Sequence, residues 1–215
     1  MTTVGKLVLG AMGRLRPVPA TGGASATTIA LPPVDRHGGM PLMEALAARQ
    51  SSRAFAAAPL PLPLLGGLLW AAFGVNRPDG HRTAPTAINA QEIDVFAALP
   101  HGAYRYDGAT HRLVLVAASD VRRVTGYQDF VDEAPLDLVY VADHGRMHMV
   151  PAAARELYSA AAAGAIAQNV YLYAAAHGLA TVIRAWINRD AIADALGLTH
   201  DQHVLFSQTV GYPKA

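Results

Sequence analysis

Residues 151–177, PAAARELYSAAAAGAIAQNVYLYAAAH, constrain the fold more than any other stretch. Alanine dominates, Pro151 suits a first helical turn, and Gly178 follows as a C-terminal stop. The segment therefore predicts one long, mostly buried helix at the centre of the molecule. Such a helix has little polar cover of its own and needs apolar neighbours on several sides. The rest of the 215-residue chain can supply them, being 52% hydrophobic and only 15% charged. That balance fits one domain with a sizeable core, and a leftover apolar surface that a second copy of the chain would cover.

The flanking stretches predict a mixture of helices and strands. Leu42, Met43, Ala45 and Leu46 lie at helical spacing behind Pro41, and Leu62 to Phe73 form a second helix stopped by Gly74. NRPDGHRTAP (76–85) reads as a long loop. Strands follow at 93–99, 102–107 and 111–117, the last two joined as a hairpin through Asp107 and Gly108. LDLVYVAD (136–143) is apolar enough for a strand buried on both faces. After the long helix come a strand over 180–186, a helix over 188–197 capped by Asn188, and a strand over 204–212. No strict βαβ rhythm emerges, which favours α+β with a mixed sheet; the resemblance drawn below implies that this sheet is largely antiparallel and flanked by helices.

Residues 1–33 read differently. Gly, Ser, Thr and Pro dominate 17–33, and Leu7 to Met12 is too short an apolar run for a secretion signal. The expectation is a flexible N-terminal arm (1–33) ahead of one domain (34–215). This places the protein in the cytoplasm, or in the periplasm if the arm serves as an export signal. Lys+Arg is 17 against Asp+Glu 16, so there is no basic field for nucleic acid. No apolar run of about 18 residues suits a membrane. Cysteine is absent, which removes disulfides, thiolate metal sites and a cysteine nucleophile. Asp143, His144, His148, His200 and His203 sit in loop-like sequence, so no metal site is expected. Nothing around Ser51 or Ser52 supplies a nucleophile's elbow or base.

Four polar clusters remain. In RQSSRAF (49–55), Arg49, Ser51 and Arg53 share one side whether the chain is helical or extended. Two guanidinium forks and a hydroxyl match a phosphate ester, although from spacing alone an exposed helix end is the stronger reading. In RTAPTAINAQE (82–92), Asn89 and Gln91 could read the edge of a planar ring, or simply belong to a loop. Gln168 and Asn169 are adjacent amides in the apolar helix and need partners from a ligand or another helix. Lys214, near the chain end, is either a further phosphate partner or part of a frayed tail.

Taken in order, these clusters resemble the nitroreductase family of FMN-dependent oxidoreductases. The resemblance covers residues 41–214 and is closest to the branch that includes SagB-type and thiazole/oxazole-forming dehydrogenases. It implies an intertwined homodimer with FMN sites at the interface. Arg49 and Ser51 would hold the FMN phosphate, with Gln50 between them where a second Arg is common, and Arg53 would lie towards the pyrimidine edge. Pro85, Thr86, Ala87, Ile88, Asn89 and Gln91 would pack on the ring and ribityl chain from the partner subunit, Thr86 replacing a Ser and Ile88 a frequent Gly. Gln168 would join the cofactor contacts, and the backbone of Ile183, Arg184 and Ala185 would face the N5/O4 edge, Ala185 replacing a frequent Gly. Lys214 would add to the phosphate site, and Tyr158, His81 and Arg82 would line a channel.

In that reading the flavin carries the chemistry and no side chain is catalytic. NADH or NADPH would be the co-substrate, and a nitroaromatic, quinone-like or other small molecule the acceptor. Dehydrogenation of peptide azolines and flavin binding without turnover are the alternatives.

Overall fold

The computed structural model describes residues 1–21 and 26–214. In chain order the elements are α1 (Thr3–Ala11), β1 (Val18–Pro19), β2 (Thr28–Ala30), α2 (Leu42–Ala48), α3 (Leu62–Phe73), β3 (Ile93–Leu99), β4 (Gly102–Asp107), β5 (Arg112–Ala117), β6 (Ser119–Asp120), β7 (Leu136–Asp143), α4 (Ala152–Ala176), β8 (Ala180–Arg184), α5 (Arg189–Leu196) and β9 (Gln202–Gly211).

Seven strands form one sheet in the order β2-β5-β4-β3-β7-β9-β8, and every pairing in it is antiparallel. The expected hairpin is present as β4 and β5. The central strands are covered on both faces, which explains their continuous apolar sequence. Ile93, Val95, Ala97 and Leu99 of β3 join the core beneath α3 and α4, while Phe96 and Ala98 join a second core with α5. Leu138 and Tyr140 of β7 face the first core, Val139 and Val141 the second.

The long helix α4 buries Ser159, Ala162, Ala163, Ile166, Ala167, Val170, Tyr171 and Ala174. That repeat of three and four residues is one face of a helix. Small residues let helices approach closely: a Cβ on Gly67 of α3 would lie 2.2 Å from the Tyr173 hydroxyl of α4. Helix α5 starts where Asn188 accepts the Ala191 amide at 3.0 Å and ends at Gly197, whose φ of 64° needs no Cβ penalty there.

The N-terminal stretch corrects the sequence reading. Residues 22–25, part of the expected arm, and Ala215 lie outside the described residues. The rest of 1–33 is built into the fold rather than hanging free. β2 pairs with β5, β1 pairs with β6, Leu15 is buried, and α1 places the Lys6 side chain wholly inside the protein. Its ammonium lies 2.6 Å from Asp132 and donates to the Gln128 carbonyl at 2.7 Å. These partners are remote in sequence, so local composition could not announce them.

Candidate functional site

Helix α2 ends at Ala48, and the chain then runs extended along the outer edge of β8. The Ser52 amide donates to the Thr181 carbonyl at 3.0 Å, and the Ala56 amide to Tyr212 at 2.9 Å. Held in this way, residues 49–52 face Tyr171 on α4. The Ser51 hydroxyl lies 2.8 Å from the Tyr171 hydroxyl, and the Arg49 guanidinium sits over the Tyr171 ring, 5.2 Å from its centroid. The amide of Ile183 donates to the same phenolic oxygen at 3.1 Å. Tyr171 thus gathers three residues expected at the site from the sequence. It was not itself foreseen; its signal was an aromatic residue one turn beyond Gln168.

The donor set around Tyr171 is open to an anion. Among the described residues, neither Arg49 nor Arg53 has a carboxylate within ion-pair distance, and Arg53 is exposed. Beside them, Gln50, Ser52, Tyr171, Thr181 and Pro213 line a hollow of about 300 Å³. Lys214 is placed elsewhere: its ammonium lies 3.9 Å from Glu133, and it borders a different hollow with Phe55 and Arg122.

The 82–91 loop forms a second group. Ile88, Asn89 and Gln91 have φ of 50°, 55° and 48°, a left-handed backbone that a β-branched residue rarely adopts. Such strain persists only where the surroundings enforce it and concentrates at functional sites. Enforcement is visible. The Gln91 amide donates to Thr86 Oγ1 at 3.0 Å, and its side chain accepts from Arg82 Nε at 2.8 Å and donates to Gly80. Arg82 is fixed in turn by the Phe73 carbonyl and ring. The side chains of Gln91 and Arg82 therefore brace the loop from within. Ile88 projects outward, 67% exposed. Pro85, Thr86 and Ala87 line an apolar hollow of about 270 Å³ with Tyr158, Ala161 and Ala162. His81 pairs with Asp79 at the loop's rim.

Both groups lean on α4, but at opposite ends. One meets it at 158–162 and the other at 171–175. At ~1.5 Å rise per residue they lie ~20 Å apart along the helix. Along the helix over the same length runs an exposed stripe with Leu157, Ala161, Gly164, Gln168 and the partly exposed Leu172.

Of the residues at the end of β8, Ala185 is exposed, whereas the Arg184 side chain turns into the protein. It reaches Asp137 at 2.8 Å and the Thr125 carbonyl at 3.0 Å. Burial pushes the Asp137 carboxyl up, opposed by the guanidinium and by hydroxyls of Thr125 and Thr209. Glu92, next to the strained loop, is wholly buried, and neither carboxylate oxygen receives a hydrogen bond from another described residue. Burial raises its pKa above the ordinary 4.5.

An antiparallel sheet with a central alanine-rich helix, an arginine–serine segment on the edge strand and a strained Pro-Thr-x-x-Asn loop define a class, and the sequence comparison agrees. Residues 46–212 match the model of the nitroreductase family. The chain belongs to that family and is an oxidoreductase. A nitroreductase-family protein of Methanocaldococcus jannaschii is 30% identical over 151 residues, covering 66% of this chain and 76% of its own. A nitroreductase-family crystal structure from Ralstonia eutropha JMP134 is 52% identical with a TM-score of 0.89, covering 94% of this chain and 96% of that one. The Escherichia coli microcin synthetase McbBCD complex, solved with truncated pro-MccB17 bound, has a chain that shares the fold. Its TM-score is 0.68 at 17% identity, with 96% of this chain and 81% of that one covered. Among the described residues no helix is long and apolar enough to cross a membrane, and no group of three or more His, Cys, Asp or Glu could hold a metal ion.

Proposed function

We propose that this chain is an FMN-dependent oxidoreductase that takes hydride from NADH or NADPH and reduces a small acceptor, nitroaromatic or quinone-like. The observation that carries the reading is the set of groups around Tyr171. Arg49 and Ser51 meet there, among the described residues no carboxylate lies within ion-pair distance of Arg49, and such a pair suits a phosphate monoester.

The residues present fit FMN. Arg49 and Ser51 would hold its phosphate, and Arg53 would place positive charge towards the pyrimidine edge. The strand end Ile183–Ala185 would set backbone groups against the ring. When bound, FMN supplies the hydride-transfer chemistry. The protein's part is to fix these groups beforehand and to exclude water, which is how preorganised polar groups act most strongly. No side-chain acid or base is needed for that role.

A homodimer completes the site. Within one chain the arginine–serine group and the 85–89 loop are separated along α4. A two-fold axis near the middle of the exposed stripe, around Gly164 to Gln168, would bring one chain's 171–175 end to the other's 158–162 end. The 85–89 loop of one subunit would then cover the phosphate group's neighbourhood in the other. The stripe's small and apolar residues suit close helix contact. Use of a nicotinamide co-substrate places the reaction in the cytoplasm.

Anaerobic addition of NADH or NADPH to the FMN-loaded protein tests the reading: the flavin's visible absorbance should bleach and return with a nitroaromatic or quinone acceptor. Absorbance unmoved by either nucleotide would overturn it. A second reading, dehydrogenation of peptide azolines, draws on the likeness in fold to the microcin synthetase chain. Bleaching by an azoline peptide and not by a nicotinamide would favour it.

A further inference from the structure

Helix α1 lies outside residues 46–212, the part that matches the family model, yet it carries a fully buried cation. A buried ammonium is tolerated only where its partners satisfy it. Lys6 has two, the Gln128 carbonyl at 2.7 Å and the Asp132 carboxylate at 2.6 Å. Both belong to the 125–132 loop, which also grips the end of β8. From that loop, the Thr125 carbonyl accepts from Arg184 at 3.0 Å. A Cβ on Gly126 would lie 1.8 Å from the Arg184 guanidinium, so the backbone packs directly on it. The Tyr127 ring stands against Trp186, centroids 5.5 Å apart, and α1 packs on the same ring, where a Cβ on Gly10 would lie 2.9 Å from it. The loop is therefore held between α1 and residues 184–186.

We propose that Lys6 is a positioning residue for the cofactor edge. It anchors α1 on the 125–132 loop; the loop fixes Arg184 and Trp186; these hold the backbone of 183–186 in place. The inference rests on the proposed flavin site, because that backbone includes residues 183–185, the stretch expected to face the ring. The N-terminal helix then sets cofactor affinity without touching the cofactor.

The test uses the full chain with Lys6→Met, Lys6→Arg and Gly10→Val, the last forcing α1 away from Tyr127 while leaving Lys6 intact. Leu113→Ala, a core cut on β5, serves as a stability control. Amide exchange over 180–188 is measured without flavin, and FMN affinity by quenching of flavin fluorescence. Lys6→Met and Gly10→Val should each speed exchange over 180–188 and raise the FMN Kd about tenfold. Lys6→Arg should recover part of both, and the control should move neither. Faster exchange in α1 with unchanged exchange over 180–188 would overturn the link. Faster exchange with an unchanged FMN Kd would overturn its bearing on the cofactor. A wild-type protein that takes up no FMN would remove the proposed function instead, leaving the exchange measurement to decide the link.

Discussion

The hydroxyls of Ser51 and Tyr171 lie 2.8 Å apart, and they tie the segment after α2 to the central helix at the point where Arg49 covers the tyrosine ring. Lys214 stands apart from that contact, 3.9 Å from Glu133. Arg49→Ala should therefore raise the FMN Kd about tenfold or more, the loss of roughly 1.4 kcal/mol, and Lys214→Ala should change it far less. Tyr171→Phe should fall between them, since it loosens Ser51 and Ile183 and removes no cation. Fluorescence titration with FMN ranks the three, and an equal or reversed order for Arg49 and Lys214 would contradict the assignment.

Ile88 is held at φ 50° with its side chain largely in solvent. Glycine reaches that conformation freely, and the strain of a side chain there is ~1–3 kcal/mol. Ile88→Gly should leave stability unchanged or raise it by about 1 kcal/mol, whereas a glycine at an ordinary exposed position lowers it. Urea unfolding of the two proteins gives the comparison.

Much of the fold could be read in the residues, and the reason is local. Pro151 and Gly178 bracket α4, Asn188 and Gly197 bracket α5, and the β4–β5 hairpin turns at Asp107 and Gly108, all features visible within a few positions. The arginine–serine segment could be picked out as a cluster because its cations and hydroxyls adjoin in the chain. What was hidden depends on distant partners. Lys6 looked like part of a free arm because Asp132 and Gln128 are far along the chain. Gln91 looked like a ligand reader because its bracing by Arg82 and Gly80 appears only when the loop closes. Arg184 offered its backbone to the site in the sequence reading, and the structure adds a buried side chain pointing the other way.

That side chain forms an ion pair with Asp137 in which both partners are almost wholly buried. Removing one partner strands the other. Arg184→Met should lower stability by ~3–5 kcal/mol, and the double change Arg184→Met with Asp137→Leu should recover much of it. Denaturant melts of the single and double variants test this; equal losses in both would show that the pair is not what stabilises this region.

Glu92 gives stability a pH dependence. Burial raises its pKa above 4.5, so the folded chain holds a proton that the unfolded chain releases. Stability from this group is complete below the unfolded value and is lost as pH rises through the folded one. Glu92→Gln should thus be more stable than wild type at about pH 8, and the gap should narrow at about pH 4. Unfolding midpoints at the two pH values decide it, and a gap that widens in acid would reverse the sign argued here.

The claim that two chains build each flavin site is tested most directly with a mixed dimer. One subunit would carry Arg49→Ala and Ser51→Ala, and the other Ala87→Trp, which fills the hollow beside Tyr158. With the two subunits co-expressed under different tags, both parent homodimers should fail to retain FMN. The purified heterodimer should bind one FMN per pair of chains, because one of its two sites is then intact. A heterodimer as empty as its parents would contradict the shared site.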